Sequence, residues 1–201
     1  ELTSQLLSYA LKKQVGVTEE EFSGPWKTTH SIPSDSLYKR MMLVSDNMMA
    51  EQTMLLYAAA HGLPLNTTQA IEHAQLNILA DLPDRPVWRD GSGLSRYNLF
   101  TPRTMVALLD KIYEKVPQDR LFNILPAGGR SGTLRNMFKG QEAFVHAKTG
   151  SLANVYCLSG YLITKKGRLL YFSFMNNSFV RPTSEIRTEV ARVLTGLYEK
   201  Y

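Results

Sequence analysis

Apolar residues recur every three to four positions through most of the first 120 residues, then switch to alternation. Leu6, Leu7, Ala10 and Leu11 form a stripe that predicts a helix over residues 3–15, with Gly16 as its stop. Residues 16–33 carry Gly24-Pro25 and Ile32-Pro33 and no long period, and read as loop or short strands. Ser34-Asp35-Ser36 offers N-caps to a helix with Leu37, Met41 and Val44 on one face. A second helical pattern starts at Ser45-Asp46-Asn47 and runs to Ala60, with His61-Gly62 as its end. A third spans about 67–82, opened by an Asn66/Gln69 capping box and closed by Pro83. Thr101-Pro102 sets a cap before a first-turn proline, and the helix it opens turns Val106, Leu109, Ile112 and Tyr113 inward.

The last third reads differently. Ala143, Val145 and Ala147 alternate with Phe144, His146 and Lys148, a strand pattern. Residues 154–164 predict a second strand, Lys165-Lys166-Gly167 a turn, and residues 168–175 a third strand antiparallel to the second. Pro182-Thr183 opens a final amphipathic helix with Ile186, Val190, Val193, Leu194 and Leu197 inward. That helix is expected to cover one face of the sheet. The expected class is α+β: a helical region, then an antiparallel sheet backed by a C-terminal helix.

Composition narrows the function classes. The 201 residues, 44% hydrophobic and 20% charged, suit one globular domain or a large piece of a bigger one. No apolar run reaches the roughly 18 residues of a membrane span, and no signal-peptide pattern opens the chain. Because it starts at Glu1, it is expected to be a processed or truncated product. Cys157 is the sole cysteine, so an internal disulfide is excluded. His30, His61, His73 and His146 show no metal-ligand spacing, and neither a metal nor a cofactor is expected. The net charge of +5 is spread in pairs such as Lys12-Lys13, Lys39-Arg40 and Lys165-Lys166. Dispersed pairs read as solvated surface charge, not as a nucleic-acid footprint.

Two tripeptides carry candidate chemistry. Ser45-Asp46-Asn47 is a sufficient helix cap by itself; the same geometry also turns a hydroxyl and an amide into any cleft the helix borders. Lys148-Thr149-Gly150 reads either as an edge strand with a surface lysine or as the wall of a site for a small anion. In the second reading Lys148 supplies positive potential, and the hydroxyls of Thr149 and Ser151 bind a carboxylate. Gly150 admits close backbone approach, and the Ser151 N–H faces a developing oxyanion.

Serine–aspartate–asparagine and lysine–threonine–glycine motifs occur together, with S-x-x-K, in penicillin-binding proteins and β-lactamases. Beside them stand Met48-Met49-Ala50-Glu51, the loop DGSGLSRYN at 90–98, Gly132-Thr133-Leu134-Arg135, AKTGSL at 147–152 and Leu158-Ser159-Gly160-Tyr161. In these residues the chain resembles the class C low-molecular-mass penicillin-binding proteins, D-alanyl-D-alanine carboxypeptidases and endopeptidases. The resemblance covers nearly the whole chain. It implies a serine β-lactamase/transpeptidase-like fold, of which residues 1–201 are the C-terminal portion of a single domain incomplete at its N-terminus.

The resemblance implies acyl transfer through a serine ester on peptidoglycan stem peptides. Ser45 passes a proton to the leaving amine, Asn47 binds a substrate carbonyl, and Lys148 sustains the proton network. Thr149, Gly150 and Ser151 line the carboxylate site, and Arg96 either binds an acidic part of the stem peptide or forms a salt bridge within its loop. β-Lactam antibiotics are the implied inhibitors, and the location is extracytoplasmic. The nucleophile departs from the pattern. Ser36-Leu37-Tyr38-Lys39 is the sole S-x-x-K match and lies too close to Ser45, since nine helical residues span about 13 Å. The attacking serine is therefore expected outside these 201 residues. Two alternatives stand beside this: a non-catalytic peptidoglycan- or peptide-binding module, and a β-lactamase.

Overall fold

A computed structural model describes residues 2–21, 23–25, 27, 30–140 and 143–201. The chain divides into two compact units, residues 1–31 and 32–201. In the first, helix α1 spans Leu2–Leu11, ending with its apolar stripe and short of the 3–15 expected. Lys12 takes a left-handed conformation (φ 51°), and the Val15 N–H donates to the Ser8 hydroxyl at 2.9 Å, so the chain turns back before Gly16. The described residues of 16–31 form neither helix nor strand; the loop expectation at positions 22, 26, 28 and 29 lies outside the described residues.

The second unit holds everything else. Helices α2 (Ser34–Val44), α3 (Asn47–Ala60), α4 (Thr67–Asn77), α5 (Pro102–Lys115) and α6 (Gln118–Ile124) precede strands β1 (Val145–Leu152), β2 (Val155–Ile163) and β3 (Leu169–Asn177), and α7 (Thr183–Lys200) closes the chain. Several caps match their sequence signals. The Thr101 hydroxyl accepts the Thr104 N–H, with proline at the start of α5. Asn66 accepts the Gln69 N–H at α4.

Three expectations need correction. No side chain caps α2: Pro33 stands at its N-cap position, and Asp35 instead pairs with Arg120 of α6 at 2.7 Å. Helix α4 stops at Asn77 rather than Leu82. The Asn77 side-chain amide donates to the His73 carbonyl, and the Ile78 carbonyl accepts from Lys111 at 2.6 Å, so the following turn is fastened to α5. Helix α6 lies in a stretch that no sequence signal marked as helical.

The three strands form an antiparallel sheet in the order β1-β2-β3, which leaves β1 at an edge. One face carries Val145, Ala147, Tyr156, Leu158, Leu162 and Phe172, packed against Val190 and Leu194 of α7. The C-terminal helix covers that face, as its stripe of apolar residues implies. Tyr161 on the opposite face packs with Leu109, Leu121 and Leu125 of the helical region, and the Tyr161 hydroxyl donates to the Leu109 carbonyl at 2.8 Å. A smaller core joins α3 and α4 through Met54, Ala58, Ala70 and Ile71. The fold is α+β, with the sheet between two helical layers. Among the described residues no helix is long and apolar enough to cross a membrane.

Candidate active site

The Ser45-Asp46-Asn47 stretch divides three tasks among three residues. Ser45 ends α2 in the left-handed region (φ 55°, ψ 55°). Asp46 returns to extended backbone, and its carboxylate accepts the Met49 N–H at 3.0 Å as the cap of α3. Asn47 is the first residue of α3, with its side chain at the surface. The sharp turn between two helices presents the Ser45 hydroxyl outward.

A left-handed conformation is costly for a residue with a Cβ, about 1 kcal/mol. Ser45→Gly and Ser45→Ala remove the same hydroxyl, but only the glycine relieves the Cβ. The glycine variant is expected to be more stable than the alanine variant by about 1 kcal/mol in denaturant melts. Coincident melts would show that the turn imposes no strain on Ser45.

Lys148 extends from β1 to this turn. Its ammonium donates to the Ser45 hydroxyl oxygen, 103 positions away in sequence, and to the Thr149 carbonyl at 2.7 Å. Lys148 is partly buried, and burial lowers its pKa below the ordinary lysine value because the ammonium loses hydration.

The edge of β1 is half covered. The Gly128 N–H donates to the Val145 carbonyl at 2.9 Å, and the Ala147 N–H donates to the Pro126 carbonyl at 3.0 Å. Odd-numbered backbone groups of β1 therefore point away from β2, by the alternation of an antiparallel ladder. The same alternation aims the Ser151 N–H and C=O outward, and among the described residues neither has a hydrogen-bond partner. Gly150 and Ser151 are exposed. A Cβ at Gly150 would meet only Cys157, at an ordinary 3.7 Å, so the fold itself does not demand glycine there.

The loop at 90–98 bridges the two sides. Both Glu51 carboxylate oxygens accept backbone N–H groups of this loop, from Gly91 at 3.2 Å and Ser92 at 2.9 Å. Gly91 lies so close to α3 that a Cβ would stand 2.8 Å from the Ala50 carbonyl. Asp90 accepts from the Gly93 and Ser95 N–H groups and from Asn98. From this braced loop Arg96 reaches the Ala153 carbonyl at 3.5 Å, just past the end of β1. Arg96 thus sits over the β1–β2 turn with its guanidinium exposed.

The structure thus joins Ser45 and Lys148 directly, sets Thr149 and Ser151 along the same strand, and brings Arg96 to its far end. Among the described residues the Lys148 ammonium bonds to Ser45 and Thr149 and not to Asn47, which follows Ser45 by two residues at the start of α3. Ser36 lies in the first turn of α2 and Ser45 beyond its last residue, at opposite ends of a continuous helix. Lys39 donates to Asn123 at 2.7 Å, away from the site. His146 stacks on Phe122 at 4.2 Å and serves packing; burial lowers its pKa. Glu51 and Thr133 belong to sequence motifs that assign them no role by themselves. Both touch elements of the site, Thr133 through a 2.8 Å hydrogen bond from the Thr149 hydroxyl.

Comparison with known proteins places the chain in a family. The sequence profile of the D-Ala-D-Ala carboxypeptidase 3 (S13) family matches residues 4–196. A D-alanyl-D-alanine carboxypeptidase DacB of Haemophilus influenzae is 30% identical over 172 residues, covering 80% of this chain and 35% of that protein. The D-alanyl-D-alanine carboxypeptidase of Actinomadura sp. strain R39 is 41% identical over 103 residues, 48% of this chain and 19% of that protein. The chain spans about a third or less of the length of these curated relatives. Among solved structures, penicillin-binding protein 4 (dacB) from Haemophilus influenzae, complexed with a β-lactam, superposes with a TM-score of 0.70 at 27% identity. That match covers 82% of this chain and 41% of the other. The TLA-3 extended-spectrum β-lactamase shares the fold, with a TM-score of 0.61 at 14% identity, over 83% of this chain and 64% of the other.

Proposed function

The chain belongs to the D-Ala-D-Ala carboxypeptidase 3 (S13) family, and we propose that it supplies the proton-transfer wall and the carboxylate wall of a serine carboxypeptidase/endopeptidase. The substrate is the D-Ala-D-Ala end, or the corresponding cross-link, of a peptidoglycan stem peptide. β-Lactams act as acylating inhibitors, and the protein works outside the cytoplasmic membrane, at the cell wall. The contact between Lys148 and Ser45 carries this reading.

The chemistry follows from that contact. A serine with a neighbouring lysine base, contributed by polypeptide outside residues 1–201, attacks the carbonyl carbon of the penultimate residue. Because the Lys148 ammonium donates to Ser45 Oγ, the Ser45 proton is directed elsewhere, toward the cleft. The positive charge beside it makes this hydroxyl a better acid. Ser45 protonates the leaving amine nitrogen as the C–N bond breaks, and it is resupplied through Lys148. Burial lowers the Lys148 pKa, so its ammonium gives up a proton more readily than an exposed lysine does. An extended peptide joins the open edge of β1 as an added strand, with the Ser151 N–H as a donor and its carboxylate among the hydroxyl groups around Thr149 and Ser151. Asn47 binds a substrate carbonyl, and Arg96 receives an acidic group of the stem peptide. Asp46 holds the turn and takes no part in the chemistry.

Acylation by a labelled penicillin, read by intact mass and peptide mapping, tests the proposal. The full-length protein is expected to take one label, on a serine outside residues 1–201. A label on Ser36 would overturn the placement of the nucleophile. An unlabelled full-length protein would instead identify a binding module.

A further inference from the structure

We propose that Thr133, outside both tripeptide motifs, is a substrate-binding residue: with Thr149 it forms a hydroxyl dyad, and Thr133 offers the outward proton to the substrate carboxylate. The inference rests on the functional reading above and names one further residue of that site.

Thr149 donates its hydroxyl hydrogen to Thr133 Oγ1 at 2.8 Å. A hydroxyl has one proton. With its proton committed to Thr133, Thr149 keeps only lone pairs toward an incoming anion. Thr133 accepts that bond and retains its own proton. No other partner of the Thr133 hydroxyl exists among the described residues, and its side chain is exposed. The chain O–H (Thr149) to O–H (Thr133) to carboxylate polarises in one direction, and each bond strengthens the next. The dyad presents one proton, and its last member is Thr133.

Thr133 is also held in place before any ligand arrives. It is the middle residue of a single 3₁₀ turn, Gly132–Leu134. On one side Gly132 has a positive φ of 57°, and a Cβ there would stand 3.0 Å from the Leu43 carbonyl of α2. On the other side Leu134 is fully buried in the core beneath the sheet. The Gly129 N–H donates to the Leu134 carbonyl at 3.1 Å, and the Ser131 hydroxyl accepts the Ala127 N–H at 3.0 Å. The turn is thus braced between the helix that ends at Ser45 and the strand that carries Lys148. A binding hydroxyl so fixed loses little freedom when it engages an anion.

The test uses the full-length protein and two peptides ending in D-Ala-D-Ala, one with a free carboxylate and one with a terminal carboxamide. Thr133→Val keeps the shape and removes the proton. It is expected to raise KM for the free carboxylate about tenfold or more, with kcat changed less than twofold, as for a lost hydrogen bond to a charged group. For the carboxamide the variant and the wild type should nearly coincide. Thr133→Ser, which retains the hydroxyl, should recover most of the loss. Wild-type turnover with an unchanged KM in Thr133→Val overturns this inference alone. An equal loss on both peptides, without rescue by serine, also overturns it and assigns Thr133 a purely structural role. No turnover by the wild type overturns the functional reading, and this inference with it.

Discussion

If the proposed activity holds, Lys148→Met is expected to lower kcat/KM of the full-length protein for a D-Ala-D-Ala peptide by about a thousandfold and yet leave the fold at least as stable at neutral pH. Both halves come from the same environment. The ammonium is the group that holds Ser45 Oγ, and removing a pre-positioned donor beside reacting atoms costs about two to three orders of magnitude in rate. Its stability balance has the opposite sign. Burial lowers the Lys148 pKa, and no carboxylate offsets that burial. A lowered lysine pKa means that the folded state binds the proton less tightly than the unfolded state. The resulting penalty is fully present below the folded pKa and disappears as pH rises through the unfolded value near 10.4. Methionine has no such penalty, although it forfeits the bonds to Ser45 and Thr149. The net change should lie within about 1 kcal/mol of zero at pH 7, on the stabilising side. The advantage of the variant should shrink toward pH 10. Paired kinetics and denaturant melts across that range check both parts. A variant that is destabilised by several kcal/mol would show that Lys148 holds the fold as well as the site.

The second large effect concerns a residue that takes no part in the proposed chemistry. Gly160→Ala should destabilise the second unit by about 3 kcal/mol, and Gly160→Val by more. Gly160 pairs with Ala147 across the β1–β2 ladder. A Cβ on it would stand 2.3 Å from the His146 carbonyl oxygen and 2.5 Å from the Ala147 Cα and Cβ. None of those atoms can move by a rotamer change, so the strands must part or slide. Because Lys148 is the next residue along β1, a shift there also carries the ammonium away from Ser45. Melting temperature and penicillin acylation should therefore fall together. An alanine variant that melts within a degree or two of wild type would mean the two strands can absorb the methyl.

What the sequence could and could not announce follows from the range of each interaction. Thr101-Pro102 marks the start of α5 because cap and proline act within one turn. The α7 stripe shows in the periodicity because one helix face meets one sheet face along most of its length. Helix α6 has seven residues, too few for a period of 3.6 to show. Helix α4 ends early through Lys111, which is 33 positions from the carbonyl it holds. The Ser45-Asp46-Asn47 stretch reads locally as one cap; only the structure shows a left-handed serine, a capping aspartate and an exposed asparagine with separate tasks. The pairing of Ser45 with Lys148 was legible only through the resemblance of two motifs, since no local signal spans that separation. Thr133 was invisible as a site residue because it sits in an aperiodic glycine-rich loop. Its meaning depends on a hydroxyl from another element.

The open side of β1 has a consequence for how the protein behaves when no substrate is bound. Unpaired backbone donors and acceptors at a sheet margin will accept any extended chain, including the same strand of a second molecule. The positions that here leave room for a peptide, Gly150 and Ser151, carry no bulk or charge to repel such a neighbour. Lys148 bends its charge inward to Ser45 rather than standing guard at the margin. Protection against self-association then falls to the covering at 126–128 over one half of the strand and to Arg96 at its other end. The proposed receptivity to a peptide and the exposure to aggregation are therefore two properties of the same few hydrogen-bonding groups.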